Sequence, residues 1–262
     1  MLSYEITYGI KKRWLLIAIG LTPVFFVLVN HYVFYKSAID GGLVFPNSIT
    51  YHLGKILYGM KPELALERTR GRELPFQWLA LQCSYLLVVC GFVHEERQNR
   101  LADIVKYGKF TTWWNRRLCW FFLLSFLYYL LIGVGIFFEH LIEKILPISN
   151  NAEYLSSGFA EYGINGYVFT VIFFIMHSII LGVLQMVLEI VIQSSIALVI
   201  NFGLILVSIY SNKLFMLSHL GMLTRNSKVI EQPSLIIIFI FIELGIILAE
   251  ILIGRKLSKN GF

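Results

Sequence analysis

The sequence predicts an all-α integral membrane protein, and three observations carry that prediction. Of its 262 residues, 57% are hydrophobic and only 15% charged, and the mean hydropathy is +0.72, a balance far from that of soluble globular chains. The apolar residues gather in blocks of roughly 20, the length a helix needs to cross a ~30 Å hydrocarbon core. They do not alternate with polar residues at period two, so a membrane β-barrel is excluded.

Six spans are expected, at 14–34, 76–92, 118–138, 167–191, 195–211 and 235–253. Lys11, Lys12 and Arg13 flank the first. Its apolar stretch is too long for a signal peptide and lacks a small-residue cleavage site, so it reads as a retained anchor. Pro23 is placed to kink it, because proline removes a backbone donor. Ahead of it, Leu2, Ile6 and Ile10 recur at i, i+4 and i+8 and predict a short interfacial helix that enters the first span through an elbow. In the connection 35–75, Asn47 is a cap for a helix with Ile49, Leu53, Ile56, Leu57 and Met60 on one face, expected to rest on the outer leaflet or to line a vestibule.

The connection between spans two and three is the most informative. A charged run with Glu95, Glu96, Arg97 and Arg100 precedes Leu101, Ile104 and Val105, which share one helical face, and Lys106 and Gly108 suit a helix end. Thr111 or Thr112 then caps the third span, where Trp113 and Trp114 are expected as an interfacial aromatic pair. The connection 139–166 opens as a helical continuation ended by Pro147. Spans four and five form a tight hairpin around Gln193 and Ser194, and the short segment 212–233 is placed to dip back toward the membrane.

Basic residues near span ends resist translocation. With the N-terminus inside, the cytoplasmic parts hold 12 Lys and Arg in 50 residues against 10 in 92 outside, which places both termini in the cytoplasm of a plasma or inner membrane. The cytoplasmic basic excess is explained by this topology and by anionic lipid headgroups. No base-reading module accompanies it, so no nucleic-acid partner is expected.

Ionisable residues within spans are costly and raise functional hypotheses. Glu189 in span four and Glu243 and Glu250 in span six are the three carboxylates there, the last two seven residues apart on one face. Glu189 and Glu250 lie near cytoplasmic ends and are expected to reach water. Span four adds His177, Gln185 and Gln193 to Glu189 in a slowly turning polar stripe, a pattern that serves hydrogen bonding between helices or lines a pathway. His177 has no second histidine at i+4, so no metal site is expected. Cys83, Cys90 and Cys119 show neither pairing nor ligand spacing and read as packing residues.

Two resemblances follow from these residues. Tyr4-Glu5 through Ile10-Lys11-Lys12-Arg13-Trp14 resembles an elbow helix. Glu95-Glu96-Arg97 through Ile104-Val105-Lys106-Tyr107-Gly108-Lys109, then Trp113-Trp114-Asn115-Arg116-Arg117, resembles the first cytoplasmic connection, with its coupling helix, of the type-2 permease family of ATP-binding-cassette exporters. The resemblance covers the whole chain in layout and rests on loosely defined motifs. It implies a single permease domain over 1–262 that pairs with a second permease subunit and contacts a separate ATPase carrying ATP and Mg. This chain is then not itself an enzyme: neither Gly54-Lys55 nor Gly108-Lys109 belongs to a phosphate-cradling loop, since no Ser or Thr follows the lysine.

Glu95-Glu96-x-x-x-Arg100 and Phe173-x-x-x-His177 also match the spacing of two motifs of the CAAX-protease-like intramembrane peptidases. A charged loop stands here where that family has an apolar helix, and a third histidine motif is missing. A six-span secondary carrier and a non-transporting membrane sensor or assembly subunit are further readings open at this level.

Overall fold

A computed structural model describes residues 14, 18, 21–22, 24–30, 32–33, 36–37, 40–41, 49–59, 75–91, 93, 110–145, 163–211, 219–230 and 232–260. Every described residue between 14 and 40 is helical. Seven further helices follow: α1 (Ile49–Leu57), α2 (Phe76–Val89), α3 (Phe110–Ile145), α4 (Gly163–Val191), α5 (Ser194–Tyr210), α6 (Leu223–Ile230) and α7 (Pro233–Asn260), with no strand among the described residues. The expected elbow helix at 1–13 and the segment 94–109, with Glu95, Glu96, Arg97, Arg100, Leu101, Ile104, Val105, Lys106 and Gly108, lie outside the described residues.

Three helices are long and apolar enough to cross a membrane, over Thr111–Ile142, Asn165–Val191 and Ser234–Ser258, with mean hydropathies of 2.3, 2.4 and 2.9. The chain is therefore a helical membrane protein. Two shorter apolar helices, Phe76–Val89 and Ser194–Tyr210, accompany them.

Burial ranks the three. Within the apolar windows 61% of residues are buried in the second, 33% in the first and 11% in the third, so α4 is the central helix, α3 flanks it, and α7 touches the bundle along one edge. On α3 the inward line is Trp114, Leu118, Phe121, Ser125, Tyr128, Ile132 and Ile136, while Phe122, Phe126, Leu130, Val134 and Phe137 point outward. That three-and-four spacing is one face of a helix. An apolar outer face is the mark of lipid as solvent, where sidedness comes from packing and not from polarity.

The α4–α5 hairpin forms as its spacing predicts: α4 ends at Val191, Gln193 is extended with ψ of 145°, and α5 begins at Ser194. Gln193 thus lies exposed in the turn and leaves the polar stripe. Three other expectations are corrected. Helix α3 starts at Phe110, so Thr111 and Thr112 occupy its first turn and are not its caps. Trp114 and Trp113 are 0% and 7% exposed and form a buried pair in place of an interfacial one. Trp114 donates its indole N–H to the Ile251 carbonyl at 3.2 Å, and its ring lies over Gly254, where a Cβ would overlap it.

The third correction concerns α1, which packs on α2, α3 and α4 with His52, Ile56 and Leu57 buried. It therefore belongs to the bundle. Its apolar face is better filled by protein side chains than by lipid because packing, the main attraction between helices in lipid, needs a shaped partner.

Candidate functional site

The polar residues of the spans assemble into three groups along α4. The first closes the end of the bundle where α2, α4 and α5 meet. Helix α2 stops at Val89, Gly91 takes φ of +76°, a left-handed turn that suits glycine, and the chain leaves with its next amides directed into the protein. The Glu189 carboxylate accepts both, from Gly91 N–H at 2.6 Å and Val93 N–H at 2.9 Å. Gln185 Nε2 donates to Glu189 Oε1 at 2.8 Å and to the Ser194 carbonyl at 3.2 Å, and its Oε1 accepts from Asn201 Nδ2 at 2.7 Å. Glu189, Gln185 and Asn201 are each 0% exposed. The expectation that Glu189 reaches water is thereby corrected: it is spent on the turn after α2, because buried amides at a helix end require acceptors.

The second group lies in the middle. Ser84 and Tyr128 hydroxyls are 2.6 Å apart, with Tyr128 also 2.8 Å from the Leu81 carbonyl, and Tyr85 pairs with Ser125 at 2.7 Å. These bonds join α2 to α3. Ser178 of α4 lies 2.9 Å from Gln82 Oε1 and 2.8 Å from the Phe174 carbonyl, its single proton serving one acceptor at a time. His177 is buried one residue away, and neither ring nitrogen makes a hydrogen bond.

The third group closes the opposite end. Helix α5 ends with carbonyls that no later turn satisfies, and Arg225 of α6 supplies the donors: Nη1 to Ser211 O at 2.6 Å and Nη2 to Ile209 O at 2.7 Å. A guanidinium at a helix C-terminus also offsets the negative end of the helix dipole. His219 Nε2 lies 2.6 Å both from Ser208 O and from Arg225 Nη1. One nitrogen cannot donate to the first and accept from the second, so it serves one of them. Burial, with the Arg225 charge adding to it, lowers the His219 pKa below its ordinary value and keeps the ring neutral. Asn226 Nδ2 donates to Thr170 Oγ1 at 2.5 Å and to Leu220 O at 3.0 Å, tying this cap to α4. The described part of the segment expected to dip toward the membrane, 219–230, thus packs as part of the bundle.

The two carboxyls of α7 belong to none of these groups. Glu243 is 0% exposed, and both its oxygens are without a hydrogen bond. Glu250, one heptad on, is half-buried, with Oε2 likewise unbonded. Of the residues expected to line a pathway, the fold brings Gln185 and Glu189 together in a filled network and leaves His177, Glu243 and Glu250 unbonded. Asn201, Arg225, His219 and Asn226 complete these groups and are not among the residues the sequence pattern singles out, although an Asn inside an apolar span is a legible signal of a hydrogen bond between helices. No protein-family model matches this chain, and neither a curated protein nor a solved structure matches it.

Proposed function

We propose that this chain is the six-span permease subunit of an ATP-driven exporter, with the N-terminal helical stretch, α2 and α5 completing the set begun by α3, α4 and α7. Its substrate on this reading is a peptide, lipid or other amphipathic molecule. Both termini face the cytoplasm, a second permease subunit completes the pathway, and a separate ATPase binds the segment 94–109. His177, Glu243 and Glu250 are the polar groups left for the pathway, whereas Glu189 and Gln185 hold the frame.

The observation that carries the reading is how that segment is anchored. It leaves the bundle at Val93, whose amide is held by Glu189 of α4, and re-enters at α3, whose Trp114 is held by Ile251 and seated on Gly254 of α7. A push on residues 94–109 is therefore delivered to the central helix and, through α3, to α7 at the same time. This is what coupling ATP hydrolysis to a change between pathway states requires.

The test is an interface substitution. Leu101, Ile104 and Val105 are the apolar anchor of the contact, and a charge at its centre typically costs ~2 kcal/mol or more, roughly tenfold in affinity. Ile104→Asp should leave the protein folded in the membrane but no longer co-purifying with its ATPase, while Gln98→Ala keeps it. Retention of the partner with normal ATP turnover by Ile104→Asp would remove the segment from the coupling role and the exporter reading with it.

A further inference from the structure

We propose that Glu243 is a proton-binding site inside the membrane, held at rest as the neutral carboxylic acid on the buried edge of α7, with His177 of α4 at the same depth. The starting point is how α7 is attached. Ile237, Ile238, Phe241, Ile242, Leu244, Leu248, Leu252 and Ile253 are exposed, whereas Ile236, Glu243 and Gly254 face inward. A helix with so much outer surface has spent one of its few inward positions on a carboxyl. That carboxyl has neither water nor a donor, since it is 0% exposed and both oxygens are unbonded. An ionised carboxylate in such a place costs several kcal/mol or more, and the proton is the ligand that removes the charge in the space available.

The neighbours offer no cation to replace it. Helix α7 packs on α4, α3 and α6. On α6, Arg225 is engaged with the carbonyls that end α5. Helix α3 runs antiparallel to α7 from the Trp114–Ile251 contact, so at 1.5 Å per residue it passes Glu243 near Phe121 to Ser125, where it carries no charge. Arg116 and Arg117 come earlier on α3, roughly 8–10 Å along the axis from Glu243, and neither reaches its oxygens, which have no hydrogen-bond partner. Glu139 and His140 lie toward the other end, His140 against His52 of α1, and Tyr128 and Tyr129 stack on Tyr85 of α2.

On α4, Glu189 holds the turn at Gly91 and Val93, which leaves His177. Phe173 and Ile236 share one apolar cluster, with Ile240 packed against it, and Asn226 ties the start of the α6–α7 unit to Thr170. The two helices therefore run in the same direction. From that shared level His177 is one turn along α4 and Glu243 one to two turns along α7, so the two stand within about one turn of each other. The titratable group that faces His177 is His219, which lies beside Arg225.

The experiment uses the full chain in lipid vesicles and its infrared spectrum at neutral pH. A carbonyl band of a protonated carboxyl is expected in the wild type, absent in Glu243→Gln and retained in Glu250→Gln, with thermal midpoints of wild type and Glu243→Gln alike, since the amide is a stand-in for the neutral acid. Glu243→Asp, which keeps the acid and moves the band, serves if the Gln variant fails to accumulate. A wild-type minus Glu243→Gln difference that carries only carboxylate bands, or an unmoved band in Glu243→Asp, overturns the proposal. The result is independent of the exporter reading, because loss or retention of an ATPase partner leaves the infrared band untouched.

Discussion

At the scale of single residues, Glu189 and Glu243 show that two carboxyls in apolar helices can have opposite fates. Glu189 meets two backbone amides and a side-chain amide, and its burial is offset bond by bond. Glu243 meets none. Removing the first should therefore be the more damaging change to the fold. Glu189→Ala strands the amides of Gly91 and Val93, and hydrogen bonds to a charged group are worth about 1.5–3 kcal/mol each, so a loss of roughly 3 kcal/mol or more is expected. Denaturant titration of the purified protein in mixed micelles measures it. A variant as stable as wild type would mean that water or lipid headgroups satisfy the turn, and that Glu189 is free for another purpose.

At the scale of elements, the end of α5 is held by a cap that depends on one protonation state. His219 has its pKa lowered by burial first and by the Arg225 charge beside it, so the folded chain prefers the neutral ring while the unfolded chain protonates near the ordinary value of about 6.5. Between that value and the lowered one the unfolded state binds more protons, and the contribution, complete above pH ~6.5, is lost as pH falls. Thermal unfolding from pH 7.5 to 5 should show wild type losing stability that His219→Gln does not lose. Parallel curves for the two would place the acid sensitivity elsewhere. The same element accounts for what the segment 212–233 does: Leu220, Met222, Leu223 and Val229 are 0% exposed, so the described part of this connection is core.

At the scale of the whole molecule, the density of Lys and Arg implies a direction across the membrane that packing alone does not. The N-terminus and the segment around Lys106 are expected on the cytoplasmic face and the stretch 40–73 outside. Single cysteines in a background lacking Cys83, Cys90 and Cys119 test this, with Asp40→Cys labelled by an impermeant reagent in intact cells and Lys106→Cys protected. Labelling at position 106 from outside would reverse the topology and end the exporter reading.

Sequence by itself determined the solvent of this chain, the existence of its long apolar helices and the hairpin at Gln193–Ser194, because each depends on local composition and on the length needed to cross a bilayer, but not helix length, since α3 runs Phe110–Ile145 where 118–138 is expected. It also marked Glu189, Glu243 and His177 as unusual, since a polar residue in an apolar block is conspicuous whatever its use. Only the tertiary structure decided their uses. Which carboxyl meets amides and which meets nothing, whether Trp114 faces lipid or glycine, and whether α1 lies on a membrane or inside a bundle depend on how helices are rotated about their axes. In a chain apolar on nearly every face the hydrophobic pattern does not encode that rotation, and close packing with the pairing of a few polar groups does.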